Sequence, residues 1–300
     1  MVNETKYGVI SDIHRAPRIV IPAIEILKKL GAEKLILNGD IGNSQGFVAF
    51  VLNIAGESEL ETFVQPGSHE KIEDFEPVIE HFKGKYPNLI NVIENRKIEQ
   101  NGHHLVFMPG SDFRCGGEYV LNRADVESGL YKTEEGIIRL TNTRDLKRLV
   151  TSPDKTIVIC HVPRKFDNLE TSIDMAQFGE ATKDFNLQGD MINTGSVFPE
   201  AIAKQIIEEG YPVQIKRENR GNVDLRDIYE ELGIKKAVSG HFHESGHRAN
   251  NRASQHVTEG ELVEELFWNS GYLDAGQTGI LTVEDGKVSY KNIRLQDYLE

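Results

Sequence analysis

Cysteine is scarce. Two residues, Cys115 and Cys160, stand in a chain of 300. That is too few for a disulfide framework, and a reducing compartment is the default expectation. Long apolar runs are missing as well: nothing approaches the roughly 20 residues that a membrane-spanning helix needs. The first apolar strand begins within a few residues of Met1, so no secretory leader is expected. Nor is there an excess of positive charge. The 47 acidic side chains outnumber the 34 basic ones and leave a net charge of −13, which argues against a surface built for nucleic acid or anionic membrane. An acidic shell tolerates divalent cations and leaves room for a local basic pocket. Internal repeats and low-complexity segments are also lacking. The remaining composition, 39% hydrophobic and 27% charged, is that of a globular protein able to bury a sizeable core in one large domain. A cytoplasmic location fits all of this.

The apolar run Tyr7-Gly8-Val9-Ile10 is too short for a helix and suits a buried strand. An amphipathic helix over Ile19–Leu30, stopped by Gly31, leads to a second strand, Lys34–Asn38. This is a β-α-β unit, and the alternation predicts a parallel pair with a right-handed crossover. A helix over 47–55, a strand Glu61–Val64 and a helix Phe75–Phe82 continue the pattern, followed by short strands at Leu89–Glu94 and His104–Met108. Residues 111–153 lack a clean period and end in a polar helix near Thr143–Val150. Strands Thr156–Cys160 and Lys236–Ser239 flank a loop-rich stretch, 163–222, with one clear helix at Pro199–Glu209; a further helix occupies 224–232. Segments of this kind inside an α/β domain commonly form lids or binding loops. The last part, 260–300, holds Glu265–Trp268 and a hairpin turning at Glu284-Asp285-Gly286.

The strands share one feature. The first is followed by Asp12-Ile13-His14, the second by Gly39-Asp40, the third by Gly67-Ser68-His69-Glu70. Thr156–Cys160 is followed by His161, and Lys236–Ser239 by Gly240-His241-Phe242-His243. The carboxyl edge of an open sheet is where such folds hold ligands. Five histidines and two aspartates at one edge exceed what a satisfied core contains. Imidazole and carboxylate without thiolate suit Mn, Fe, Zn or Ni, and a carboxylate among several histidines can bridge two ions.

These motifs, in this order, resemble the calcineurin-like metallophosphoesterase superfamily: Asp12-x-His14, Gly39-Asp40, Gly67-Ser68-His69-Glu70, His161 and Gly240-His241-x-His243. Asn269-Ser270-Gly271 followed by a hairpin resembles the family's usual ending. The resemblance implies an α/β fold, a four-layer α/β/β/α sandwich spanning 1–300, with the site at its centre. It implies two divalent metal ions: Asp12, His14 and His243 on the first, Asp40 bridging, His161 and His241 on the second. A hydroxide bridging the ions would attack phosphorus in line, and His69 would serve as general acid or charge stabiliser beside the leaving group.

One position departs. The family has asparagine where Ser68 stands, and a serine hydroxyl is a shorter, poorer neutral ligand. Ser68 could ligate weakly or through water, the site could run on one tightly held ion, or catalysis could be lost. The first is preferred, because every charged and imidazole position is intact. Arg15, directly after the first motif, could grip phosphate through its guanidinium, with a surface arginine as the alternative. Asn43 and Arg114 are further candidates for substrate contact, against a turn residue and a solvated loop. The basic cluster Lys216–Arg220 reads as a solvated loop ahead of a phosphate grip. His103, His104, His247 and His256 read as surface residues, His247 being the best placed of them to support the site. Cys160 reads as a small core residue.

The expected substrate is a small phosphate ester, nucleotide-type diesters being common for small family members, with the diester preferred over the monoester. Rival readings are a phosphomonoesterase, a nuclease of the same fold, which the net charge opposes, and a non-catalytic interaction module with a decayed site.

Overall fold

The computed structural model describes residues 4–112, 118–120, 124–134 and 136–299; Arg114 and Cys115 lie outside them. The chain begins with strand β1 (Glu4–Ile10), helix α1 (Val20–Lys29), β2 (Lys34–Asn38), α2 (Gln45–Glu57), β3 (Glu61–Gln65) and α3 (Ile72–Lys85). Three strands follow, β4 (Leu89–Asn91), β5 (Lys97–Gln100) and β6 (His103–Met108). Next come β7 (Glu118–Val120), β8 (Gly129–Thr133) and β9 (Gly136–Asn142), which form a small sheet, then a single turn of helix α4 (Leu146–Leu149) and β10 (Thr156–Cys160). The segment 163–222 contributes β11 (Met175–Ala181), the hairpin β12 (Phe185–Leu187) and β13 (Asp190–Ile192), β14 (Val197–Pro199), α5 (Glu200–Glu208) and β15 (Val213–Asn219). Helix α6 (Val223–Leu232), β16 (Lys236–Ser239), β17 (Ala249–Asn250), β18 (Leu266–Asn269), β19 (Gln277–Glu284) and β20 (Lys287–Arg294) complete the order.

Two six-stranded sheets carry the architecture. One runs β20-β19-β1-β2-β3-β4, the other β17-β18-β16-β10-β6-β5. Strands β1 to β4 are parallel to one another, as are β18, β16, β10 and β6, while β19 and β20 in the first sheet and β17 and β5 in the second pair antiparallel. Side chains alternate between two buried faces. Tyr7, Val9, Ile36 and Phe63 meet Leu105, Phe107, Ile157, Ile159 and Trp268 in the layer between the sheets. Their neighbours Ile10, Leu35 and Leu37 pack outward on α1, α2 and α3, and Val106, Met108, Val158 and Cys160 pack outward toward α4 and α6. Burial on both faces is why these strands read as continuous apolar runs. The result is the expected α/β/β/α sandwich.

Several sequence expectations change. Strand β5 was hidden by its polar composition; it forms a hairpin with β6 around Asn101-Gly102, both at positive φ. Strands β8 and β9, aperiodic in sequence, pair antiparallel. The 163–222 segment has more regular structure than its glycines and prolines suggest. Strands β14, β11 and β15 form a sheet, and α5 packs Ala203 and Ile206 against Val213. Lys216 and Arg217 accordingly lie on β15 rather than on a loop. Lys216 pairs with Glu180 at 2.6 Å, and Arg217 with Glu170 at 3.3 Å.

Two histidines read as surface residues are interior. His103, 2% exposed, shares a hydrogen bond with the Tyr7 hydroxyl at 2.7 Å. His247, half-buried, places its Nε2 3.0 Å from the Thr278 carbonyl. Burial, then the neighbouring His104, lowers the His103 pKa to about 4. The folded protein therefore keeps His103 neutral, whereas the unfolded chain takes up a proton below about 6.5. The stabilisation is complete above that value and is lost as pH falls toward 4. Between pH 7 and 4.5 the wild type should lose about 1–2 kcal/mol through this group, solvent screening included. In denaturant titrations the stability gap between the two pH values should shrink by that amount in His103→Gln; an unchanged gap would contradict the assignment.

Candidate metal centre

Every motif residue lies just beyond the carboxyl end of a strand, and the two sheets bring these ends together. Asp12 and His14 follow β1, Asp40 follows β2, Ser68 and His69 follow β3, His161 follows β10, and His241 and His243 follow β16. The backbone turns sharply at these points. Asp12, His14, Asp40 and His241 have φ of 57°, 42°, 52° and 68°, a left-handed conformation that non-glycine residues seldom adopt and that clusters at functional sites. Hydrogen bonds hold the turns together: Asp12 and His14 donate through their N–H groups to the carbonyls of Gly39 and Asp40, each at 3.2 Å. Gly240 is required by close approach. A Cβ there would lie 2.1 Å from Ser11 Oγ and 2.4 Å from Asp12 Oδ2.

Three overlapping groups result, Asp12–His14–His243, His14–Asp40–His69 and Asp40–His161–His241, each with its candidate ligand atoms within 4.8 Å of one another. Asp12 Oδ1 lies 3.1 Å from His243 Nε2 and 3.6 Å from His14 Nε2. Asp40 Oδ2 lies 3.1 Å from His161 Nε2, 3.8 Å from His14 Nε2 and 3.9 Å from His69 Nε2. His14 and Asp40 thus belong to two groups each. All seven strand-end residues singled out in the sequence come together.

The donor set fits cations. His161 is fully buried, and its Nδ1 donates to the Asn38 carbonyl at 2.9 Å, so in the neutral ring Nε2 is the nitrogen that carries the lone pair. That Nε2 has no hydrogen-bond partner among the described residues, although it faces the Asp40 carboxylate. An orphaned imidazole nitrogen beside a buried carboxylate is the arrangement that a metal ion completes. His14 is oriented in the same way, its Nδ1 3.3 Å from Asn43 Oδ1 and its Nε2 turned inward.

Electrostatics point the same way. Burial alone would push His14 and His161 toward neutrality, but the Asp12 and Asp40 carboxylates outweigh it and raise them to about 9 and about 10. Burial opposes ionisation of Asp12 and Asp40 as well, yet the surrounding imidazoles, His161 foremost, hold both well below the usual carboxylate range. His241 moves the other way, to about 4, through burial and then the charge of His161. Two buried anions concentrate positive charge around themselves, and a divalent ion supplies it more compactly than protons do. His69 is different. Its side chain is 48% exposed and opens to solvent at the mouth of the site, with burial as the first cause lowering its pKa.

Ser68 sits inside the cluster without turning toward an imidazole. Its hydroxyl donates to Asp40 Oδ2 at 2.9 Å, and its N–H reaches Oδ1 at 2.5 Å. Arg15 is exposed, and its backbone N–H donates to Asp274 at 3.4 Å. Asn43 is exposed, and its Oδ1 lies 3.3 Å from His14 Nδ1. Asp112 lines a cleft next to His241.

Further residues hold these loops; Glu70 and Asn269 belong to the motifs, whereas Ser11 and Asp274 carry no motif signal. Ser11 donates to Asp12 Oδ2 at 2.5 Å. Asn269 reaches the carbonyls of Gly240 and Phe242 at 3.2 and 3.0 Å and accepts from the Gly271 N–H, which gives the Asn269-Ser270-Gly271 ending a physical role. Asp274 anchors the N–H of Ala16 at 3.1 Å. Glu70 spans two loops, accepting from Gly67 at 2.7 Å, Gly42 at 3.1 Å and Asp40 at 3.2 Å.

No family model matches the sequence, and no curated protein matches it. Solved structures do. A protein from Thermus thermophilus superposes with a TM-score of 0.55 at 13% identity, over 97% of this chain and 99% of that one. A dimetal phosphatase from Danio rerio superposes with a TM-score of 0.51 at 8% identity, again over 97% and 99%. The fold implied by the motifs is therefore the fold observed, shared along nearly the whole chain with a structure described as a dimetal phosphatase.

The Glu70 clamp yields a stability test. Burial, then the charge of Asp40, raises Glu70 to about 7, so at pH 8 it is ionised and accepts all three N–H groups. In Glu70→Gln an NH2 replaces one acceptor and opposes a buried N–H, which should cost about 1–3 kcal/mol. Denaturant unfolding at pH 8 reads this directly; a loss below about 0.5 kcal/mol would show that the clamp contributes nothing.

Proposed function

We propose that this chain is a calcineurin-like metallophosphoesterase, a metal-dependent phosphoric ester hydrolase that binds two divalent ions and acts on a small phosphate ester. The observation that carries this is the sharing of Asp40 between the His14–Asp40–His69 and Asp40–His161–His241 groups, with Asp12 and His243 completing a site on the His14 side. One carboxylate between two sets of imidazoles suits a pair of ions about 3.5–4 Å apart. Asp12, His14 and His243 would hold the first and His161 and His241 the second, with Asp40 common to both. Mn, Fe, Zn or Ni match the donor types. Bound there, such ions supply Lewis acidity toward the phosphoryl oxygens and a nucleophile at neutral pH.

The chain's own residues supply the rest. Asn38 and Asn43 keep the ring nitrogens of His161 and His14 in the ligating tautomer. Ser68 steadies the shared carboxylate and leaves the second position with three protein ligands. His69, exposed at the mouth beside Asp40, is placed to hold a proton at Nε2 for the leaving oxygen. Segment 163–222 borders the site and serves as a lid that sets specificity, the whole chain acting as one domain. A phosphodiesterase is preferred over a monoesterase. A nuclease is disfavoured by the net charge of −13 and by the acidic partners of Lys216 and Arg217. The scarcity of cysteine supports a cytoplasmic location. No helix of the described residues is long and apolar enough to cross a membrane.

With Mn²⁺ or Ni²⁺ present, bis(p-nitrophenyl) phosphate should turn over faster than p-nitrophenyl phosphate. The reverse order would select a monoesterase, and no turnover of either would select the non-catalytic reading. His69→Ala should lower turnover about 100- to 10,000-fold while metal analysis still finds two equivalents; loss of the metal would instead make His69 a ligand.

Calorimetric titration with Mn²⁺ tests Ser68. In Ser68→Asn the second equivalent should bind at least about tenfold more tightly, with the first unchanged. Equal second-site affinity in both proteins would mean that the serine does not weaken the site.

A further inference from the structure

A cleft of about 760 Å³ opens beside His241, between the tail of the metal cluster and the 163–222 segment. Its size lies within the range of small-ligand sites and far exceeds what a phosphoryl group alone would fill. Strand β14 contributes Val197 and Phe198, β11 contributes Phe178, the start of α6 contributes Val223, and Phe242 closes the end nearest the metals. Val197 and Val223 are 50% and 43% exposed, an apolar pair facing open space on the protein's working edge. Phe242 meets the His241 ring edge-on, with centroids 4.7 Å apart, so the apolar wall begins where the candidate ligands end.

The charges in this cleft are not those of an anion site. Among the described residues, Asp112, Asp224 and Glu244 line it against a single guanidinium, Arg220. That guanidinium is laid over the Phe178 ring at 4.6 Å. Three carboxylates against one arginine repel a second phosphate or a run of nucleotides. The apolar walls instead favour burial of an uncharged ring, for which aromatic side chains and a stacked arginine are suitable neighbours.

We infer that this cleft binds the organic group of the substrate, and that this group is an uncharged aromatic ring rather than a further anionic unit. The 163–222 segment would then select substrates through Val197 and Phe198, together with Val223 at the start of α6, apart from the residues that would hold the metals. The inference rests on the phosphoesterase reading, and the two can fail separately.

Phenylphosphonate and methylphosphonate provide the test, since both present a phosphonate and neither is an ester. In the Mn²⁺-loaded protein, calorimetry should find phenylphosphonate bound at least about tenfold more tightly than methylphosphonate. In Val197→Asn and Val223→Asn, both at exposed positions that tolerate a polar side chain in the fold, that preference should fall below about threefold while methylphosphonate affinity stays unchanged, since no charge is added. Methylphosphonate binding with no phenyl preference in the wild type, or a preference that survives both substitutions, overturns the cleft assignment alone. Binding of neither phosphonate to a protein that has taken up its metal overturns the phosphoesterase reading and this inference with it.

Discussion

Two carboxylates, Asp12 and Asp40, are buried almost completely within a few ångströms of four imidazoles. Burying unpaired charge is expensive, and a buried anion persists only where its surroundings compensate it. Here the compensation comes from strand ends in both sheets. Neither sheet alone supplies it: β1 and β2 carry the acids and His14, whereas β10 and β16 carry His161, His241 and His243. The interface between the sheets is therefore what creates the site, and the apolar layer of Tyr7, Phe63, Phe107 and Trp268 holds the two edges in register.

The backbone accepts strain to achieve this. Four residues of the cluster occupy left-handed conformations, each with a cost that the surrounding structure must offset. The offsets are visible. Gly39 and Asp40 carbonyls take the N–H groups of the first loop, Glu70 ties the second loop to the third, and Asn269 and Asp274 tether loops from the carboxyl-terminal strands. Gly240 lets its own loop approach Ser11 and Asp12 more closely than any side chain would permit. These glycines and amides explain why the motifs extend beyond the candidate ligands themselves.

The sequence revealed the parts governed by local chemistry. Strands Lys34–Asn38, Thr156–Cys160 and Lys236–Ser239 were readable because burial on both faces demands short unbroken apolar runs. The polar residues that end them stood out for the same reason. What stayed hidden depends on distant partners. Ser11 and Asp274 are ordinary residues in sequence and gain their roles only when remote loops close. Strand β15 alternates Val213 and Ile215 with Gln214 and Lys216, a signal that the dense charge of 216–220 obscures, and Asn101-Gly102 turns a hairpin whose first strand is too polar to stand out. His103 gives no sequence sign of its burial, because Gly102-His103-His104 carries no hint of a tyrosine hydroxyl nearly a hundred residues away in the chain.

The central claim is that the Asp40 carboxylate stands between two cations. Anomalous diffraction from Mn²⁺-soaked crystals, recorded near the manganese edge, tests it most directly. Two peaks about 3.5–4 Å apart, one beside Asp12, His14 and His243 and the other beside His161 and His241, with Asp40 reaching both, are the predicted result. A single peak, or ions bound elsewhere with these side chains hydrogen-bonded only to one another, would contradict the account.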